Sequence, residues 1–308
     1  MHIVIVNTIA GNGRALTILE KIQRDPSFQA NQCRSFITDY KGHAEEIAKQ
    51  VTEIYHEKIK TVIIIGGDGT LHEVLNGMKH YPEIPLAVIP AGSGNDFARG
   101  AGIHTNSVTL FKRIIDHPKV LTFKPGAYRF HNDVKNPRHF MNSIGFGLDA
   151  EVAYKADNSS FKKVFNRMRI GFMSYVLAFF TVIPAYQSLD ITLTIDGKVK
   201  HVKGAYMITV SRHPYYGGGM KIAPQASLKK DFYSVIVVES LPKWKILLLF
   251  ITVFFGKHTS LREVKQYKGR AITVESPSKI PVQVDGEVGS CRFCKMEIPE
   301  QKRMVYLG

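Results

Sequence analysis

The sequence predicts an α/β protein of two domains, an open parallel sheet covered by helices followed by a mainly antiparallel β domain. Two observations predict it. In the first part of the chain, apolar strands repeatedly end in glycine turns that lead into helices. Near residue 125 that alternation stops, and strands of period-two patterning follow, such as Leu189 to Ile195 with a hairpin turn at Asp196-Gly197. The expected boundaries are 1–125 for the α/β domain and 126–298 for the β-rich one, with segment 299–308 a candidate to complete the first.

Thr61 to Thr70 shows the repeating unit most plainly. Val62 to Ile65 is an unbroken β-branched run, expected of a parallel strand covered on both faces and therefore internal. Leu71, Val74, Leu75 and Met78 then fall at i, i+3, i+4 and i+7, one apolar helix stripe, with Thr70 and Glu73 spaced as a capping box at its start. Gly66, Gly67 and Gly69 let backbone amides approach a ligand, and the helix N-terminus adds partial positive charge, which together make a phosphate seat. Asp68 would repel a bare phosphate, so it points to a divalent cation beside it. An ordinary βα turn explains a generic glycine loop, but three glycines, an acid and a helix cap in five residues favour the ligand.

His2 to Val6 reads as a first strand, running into the glycine loop Asn7 to Gly13 and a helix with Leu16, Leu19 and Ile22 on one side. Phe36-Ile37 is a short strand ending at Thr38. Gly42-His43 precedes a helix whose expected buried stripe is Ile47, Val51, Ile54 and Tyr55, while His43 either touches a phosphate or stays solvated. Leu86 to Ile89 is a further strand, ending in the turn Pro90 to Arg99. Open α/β sheets bind ligands outside the carboxyl ends of their strands, so loops 7–13, 66–70 and 90–96 are expected to converge there. Asp96 fits either a helix cap or a catalytic role.

The second domain is expected to hold two helical interruptions, about 161–184 and 243–256. Their apolar cores, Gly171 to Ile183 and Ile246 to Phe255, fall short of the roughly 20 residues of a membrane span, though either could turn an apolar face to lipid. Pro214 to Pro224 carries Gly217, Gly218 and Gly219, a loop suited to close approach by a substrate or another backbone. Asp285-Gly286-Glu287 sets two carboxylates at a hairpin tip, where a plain turn is the alternative.

A net charge of +15 attracts polyanions without choosing among them. The Lys and Arg form no zinc-finger, basic-helix or RNP-type pattern, so no nucleic-acid partner is expected. Cys33, Cys291 and Cys294 make no disulfide framework, and the Cys291/Cys294 pair lacks the second half of a zinc site. With a strand at Met1 to Asn7 where a secretory signal would lie, a cytoplasmic location is expected.

Together these motifs resemble the diacylglycerol kinase catalytic-domain family, most closely its soluble bacterial lipid kinases, over nearly the whole chain. Gly66 to Thr70 is similar to that family's nucleotide signature, which NAD kinases and sphingosine kinases share. Pro90 to Arg99, with Ser93 in a Thr place, the Gly217 to Gly219 loop and the Asp285 to Glu287 tip point more narrowly to lipid kinases. The resemblance implies a two-domain lipid kinase fold with a Rossmann-like N-terminal domain. It implies that ATP is held around Asn7, Thr8, Ile9, Ala10, Gly11, Thr38, Gly66, Gly67, Asp68, Gly69, Thr70 and Ser93. It also implies that Asp285 and Glu287 activate an acceptor hydroxyl, and that Asp68 and Asp96 organise catalytic Mg2+.

The sequence departs from the family pattern at several positions. Thr8 stands where Pro is common, and Lys124 where some relatives have an Asp that supports the magnesium network. Lys230 stands where soluble relatives carry the Asp of a structural magnesium site, so either neighbouring Asp231 takes over that metal or the Lys230 ammonium replaces it. The function expected is an ATP-dependent lipid kinase, with diacylglycerol the first acceptor and an anionic membrane its peripheral support. A kinase of another lipid, sphingoid or soluble alcohol is one alternative, and a nucleotide or lipid binder without turnover is another. Dimers are common in the resembling group.

Overall fold

The computed structural model describes residues 1–131, 136–157 and 172–308. The chain divides into two compact units, Met1–Lys124 with Glu300–Gly308, and Pro125–Pro299.

In the first unit, strands β1 (His2–Val6), β2 (Cys33–Ile37), β3 (Thr61–Gly66), β4 (Leu86–Pro90), β5 (Lys119–Phe123) and the C-terminal β16 (Arg303–Leu307) form one sheet in the order β2-β1-β3-β4-β16-β5. Pairing is parallel from β2 to β16, and β5 runs antiparallel at the edge. As the β-branched run predicts, β3 is internal, and Val62 to Ile65 are fully buried. Its helices are α1 (Arg14–Gln23), α2 (Pro26–Ala30), α3 (His43–Tyr55), α4 (Asp68–Gly77), α5 (Asp96–Gly100) and α6 (Ser107–Asp116).

Three local expectations are corrected. Leu16 is exposed, because α1 turns Ala15, Ile18, Leu19 and Ile22 inward. Ile54 is exposed too, and the buried face of α3 is Ala44, Ile47, Ala48 and Val51. The cause is tight helix contact: a Cβ at Gly77 of α4 would lie 2.3 Å from the Glu45 carbonyl oxygen and 2.8 Å from Ala48 Cβ, so small residues set that face. The Thr70/Glu73 capping box does not form, since α4 already begins at Asp68. Glu73 instead accepts from the amides of Gly42 (3.0 Å) and Ala44 (3.1 Å), capping α3 across the helix pair.

The second unit is antiparallel among its described residues. Strands β6 (Gly126–Phe130), β7 (Arg138–Phe140), β8 (Ser143–Gly147), β9 (Leu189–Ile195), β10 (Lys198–Ala205), β11 (Met207–Ser211), β12 (Tyr233–Val238), β13 (Val264–Gly269), β14 (Ala271–Val284) and β15 (Glu287–Glu297) follow the order β13-β12-β11-β8-β14-β15-β6-β7, with β9 on β14 and β10 on β9. Asp196-Gly197 is the two-residue turn between β9 and β10, both residues at positive φ. Asp196 Oδ1 also accepts from the amides of Arg270 (2.9 Å) and Ala271 (2.8 Å), so this acid ties two hairpins together. Helices α7 (Leu148–Asp157), α8 (Phe172–Val182) and α9 (Lys243–Val253) cover one face, and residues 161–171 of the first expected helical interruption lie outside the described residues. Among the described residues no helix is long and apolar enough to cross a membrane. Cys291 and Cys294 lie in the core of this unit, where burial pushes the Cys291 thiol up to about 12.

The C-terminal strand is anchored by Arg303, which is almost fully buried and donates to the carbonyls of Tyr81 (2.6 Å) and Met78 (2.9 Å) past the end of α4. Arg303→Met leaves both acceptors without this donor and is expected to cost roughly 3 kcal/mol. Urea unfolding measures this, and a variant as stable as the parent would show that the anchor contributes nothing.

Candidate active site

The three glycine loops meet because β1, β3 and β4 are neighbours and each loop leaves a carboxyl end. Asn7 Nδ2 donates to Thr70 Oγ1 at 3.1 Å, joining the first loop to α4. The second and third loops touch backbone to backbone: a Cβ at Gly92 would lie 2.7 Å from Gly67 Cα, which only glycine permits. Thr38, also at this edge, is held by its amide on the Val6 carbonyl at 3.0 Å. The first helical bond of α4 runs from Leu71 N–H to the Gly67 carbonyl (3.1 Å), so the amides of Asp68, Gly69 and Thr70 precede it at the positive end of the helix. Ile9 and Ser93 are exposed, while Thr8, Ala10 and Gly11 are half-buried.

The Asp68 carboxylate accepts from the amides of Asp96 and Phe97, both at 2.9 Å, and so caps α5. Asp96 does not cap that helix; Asn95 precedes it in a left-handed conformation, and the buried Asp96 carboxylate takes a bond from Arg99 Nη1 at 2.8 Å. Asn7 Oδ1 and Asn95 Oδ1 are buried acceptors without a hydrogen-bond partner. Unpaired buried acceptors are costly, and a ligand donor or a cation would satisfy them.

In the second unit, Asp285 and Gly286 form the tight turn between β14 and β15, with φ of 50° and 93°. The turn directs the Asp285 side chain inward, where its oxygens accept from the amides of Met141 (2.8 Å), Asn142 (2.8 Å) and Ser143 (3.1 Å). Glu287 follows as the first residue of β15, half-buried. His213 is fully buried beside this network: its Nδ1 accepts from the Tyr215 amide (3.2 Å), leaving Nε2–H to donate to Asn142 Oδ1 at 2.6 Å. Burial lowers His213 from 6.5 to about 4, against the opposing pull of Asp285, so the ring is neutral at neutral pH.

An apolar cavity lies under α7, α8 and α9, walled by Phe179, Met220, Phe250 and Val253 among others, with Tyr175, Tyr206, Tyr216 and Asp149 also in its lining. The Gly217 to Gly219 loop, all three residues at positive φ, is closed by paired backbone bonds between Tyr216 and Met220, both 3.0 Å. Residues 141–149 thus supply amides to Asp285 and Leu148 and Asp149 to the cavity lining, and residues 213–220 supply His213 to the one and Tyr216 and Met220 to the other.

Comparison with known proteins follows the same division. The diacylglycerol kinase catalytic domain matches residues 1–121, and the YegS C-terminal NAD kinase beta sandwich-like domain matches residues 142–300. A Bacillus subtilis (strain 168) protein named "Putative lipid kinase YtlR" is 36% identical over 301 residues, 97% of each chain. The chain belongs to the diacylglycerol kinase catalytic-domain family. This lipid kinase is also 30% identical over 228 residues to a Mycobacterium tuberculosis diacylglycerol kinase, covering 73% of this chain and 70% of the relative. It shares its fold with a Bacillus anthracis crystal structure titled as a "putative diacylglycerol kinase", at a TM-score of 0.77 and 24% identity over 100% of this chain and 95% of the other.

A kinase family implies ATP and, typically, a divalent metal. Among the described residues of the kinase no three or more His, Cys, Asp or Glu side chains cluster as a metal cage. Mg2+ beside nucleotide needs only one or two carboxylates, its other ligands being waters and phosphate oxygens. Asp68, Asp96 and the two unpaired Asn oxygens therefore fit such an ion with its nucleotide. Asp231 does not fit a separate structural metal: its carboxylate pairs with Arg270, and the Lys230 ammonium lies next along the chain, donating to the Gln225 carbonyl at 2.9 Å. The Arg270 guanidinium already neutralises that carboxylate. Lys124 Nζ, for its part, bonds Glu300 Oε2 at 3.0 Å. Sequence reasoning passed over Asn142, Asp149 and His213, since each sits in an apolar or ordinary polar context and gains its partner only from distant chain.

Asp149 of this kinase is driven from 3.8 up to about 7, chiefly by burial. A raised carboxyl stabilises the fold while protonated, and that contribution is lost as pH rises through about 7. Asp149→Asn is therefore expected to gain stability over the parent from about pH 5 to about pH 8, by roughly 2.5 kcal/mol. Urea titrations at both ends of that range check it; a difference independent of pH would refute the assignment. His213, lowered, acts with the opposite sign and destabilises the fold as pH falls from 6.5 toward about 4.

Proposed function

We propose that the kinase transfers the γ-phosphoryl group of ATP to the free hydroxyl of diacylglycerol, giving phosphatidic acid. The observation that carries the acceptor is the apolar pocket joined to the Asp285/Glu287 tip through residues 141–149 and 213–220, an apolar lining suited to a lipid and tied to carboxylates that can take an alcohol proton. In the first unit, the amides of Asp68, Gly69 and Thr70 bind phosphate oxygens, while Asn7 and Asn95 accept from ligand donors. Asp68 and Asp96 would hold the metal, which would supply positive charge to offset the negative charge developing on the transferring phosphoryl group. At the tip, Asp285 and Glu287 draw the proton from the acceptor oxygen, His213 staying neutral behind Asn142.

The net charge of +15 holds the enzyme on anionic membrane, at about 1 kcal/mol for each Lys or Arg near the surface, so the association falls with salt. One observation favours a second reading, a binder without turnover: the Asp285 carboxylate already accepts three backbone amides and serves as a fixture of its loop. Transfer of labelled phosphate from Mg-ATP to diacylglycerol in mixed micelles separates the two. The parent is expected to make phosphatidic acid, with Asp285→Asn and Glu287→Gln each slowed by roughly a thousandfold. No transfer to diacylglycerol by the parent would overturn this acceptor, and no transfer to any lipid or sphingoid alcohol would favour the binder.

A further inference from the structure

Helix α9 shows two apolar faces where one suffices for folding. Ile246, Leu249, Phe250 and Val253 are buried. On the opposite side Trp244 (64% exposed), Leu248 and Ile251 (60%) fall at i, i+4 and i+7, one stripe turned to solvent, and Phe255 (72%) is exposed in the turn just past the helix. Helix α8 continues it with exposed Leu177 and Phe180, held to α9 by the stacked rings of Phe179 and Phe250 at 4.0 Å and by the edge contact of Phe180 with Phe250 at 6.4 Å. The Lys243 ammonium at the start of α9 bonds the Pro184 carbonyl just past α8. The exposed stripes of two helices therefore make one apolar surface.

We infer that this α8–α9 face is the surface through which the protein enters an anionic bilayer, Trp244, Ile251 and Phe255 burying themselves below the headgroups. Charge selects that occupant. From Leu241 to Arg262 the chain carries Lys243, Lys245, Lys257 and Arg262 and no acid, and α8 carries no charge at all. The nearest acid, Glu263, is bonded to Lys245 at 2.6 Å, and the same Lys245 ammonium lies 5.8 Å from the centre of the Trp244 ring. An apolar stripe flanked in the chain by cations matches the boundary between anionic headgroups and acyl chains. A second copy docked face to face would set these same cations against one another. The 11 residues of α9 span about 16 Å, too short to cross a bilayer and long enough to lie along its surface. The inner faces of these two helices, through Phe179, Leu249 and Val253, wall the apolar cavity, so they stand between the cavity and the surface proposed to meet lipid.

The inference rests in part on the lipid-kinase reading, and the chain contains its own probe, since Trp244 is its single tryptophan. The full chain is mixed with vesicles of phosphatidylcholine alone or with phosphatidylglycerol added. A blue shift of Trp244 emission with the anionic vesicles, quenched by lipids brominated along their chains, is the expected result. Ile251→Ser with Phe255→Ser is expected to weaken vesicle binding at least about tenfold, with transfer to a dispersed short-chain diacylglycerol unchanged. Vesicle co-sedimentation without a Trp244 shift would show that another face binds. A shift that grows with protein concentration and needs no vesicles would show a second copy as the occupant. Either outcome overturns the inference. If Trp244 inserts while the parent phosphorylates no lipid, the face stands and the kinase reading falls.

Discussion

A carboxylate drawn from water must find N–H donors, and this protein meets that demand with backbone amides brought from far along the chain. Asp68 holds the amides of Asp96 and Phe97, Glu73 those of Gly42 and Ala44, and Asp285 those of Met141, Asn142 and Ser143. Each acid thereby fixes the start of another element: Asp68 sets the short helix after the third glycine loop, Glu73 the helix packed against its own, Asp285 the entry to β8. Both candidate reaction sites are assembled by these contacts. The same contacts engage acidic side chains with the protein's own backbone while the excess of Lys and Arg keeps the net charge at +15.

The parts legible in sequence were those set by local pattern. The β-branched run of Val62 to Ile65 marked an internal strand, the glycine turns marked the edge where loops 7–13, 66–70 and 90–96 meet, and Asp285-Gly286 marked a two-residue hairpin. What escaped was set by partners distant in sequence. The Thr70/Glu73 spacing satisfied a capping rule, but α4 starts two residues earlier and Glu73 had unpaired amides of α3 within reach. Ile54 fell on a plausible stripe, yet close approach at Gly77 rotated the buried face toward alanines. Asn142, Asp149 and His213 carry no local signal, because their roles arise where β8, β11 and β14 lie side by side.

Burial has opposite consequences for two groups of the second unit. His213 is held neutral and Asp149 is held toward its protonated form, because removing water penalises whichever state carries charge. One opposes folding in acid and the other in base, and between about pH 4 and 6.5 their contributions run in opposite directions and largely offset. The cavity lined in part by Asp149 accordingly keeps an apolar character that an ionised carboxyl would disturb.

The first sheet cannot close until β16 has been made. Strand β16 sits between β4 and β5, and it consists of Arg303 to Leu307, which follow the whole antiparallel unit in sequence. On a ribosome, β1 to β4 emerge first and must wait with the open edge of β4 exposed while the whole antiparallel unit is made and can fold. The order of folding is thus the reverse of the order of emergence, and the half carrying the glycine loops is finished last.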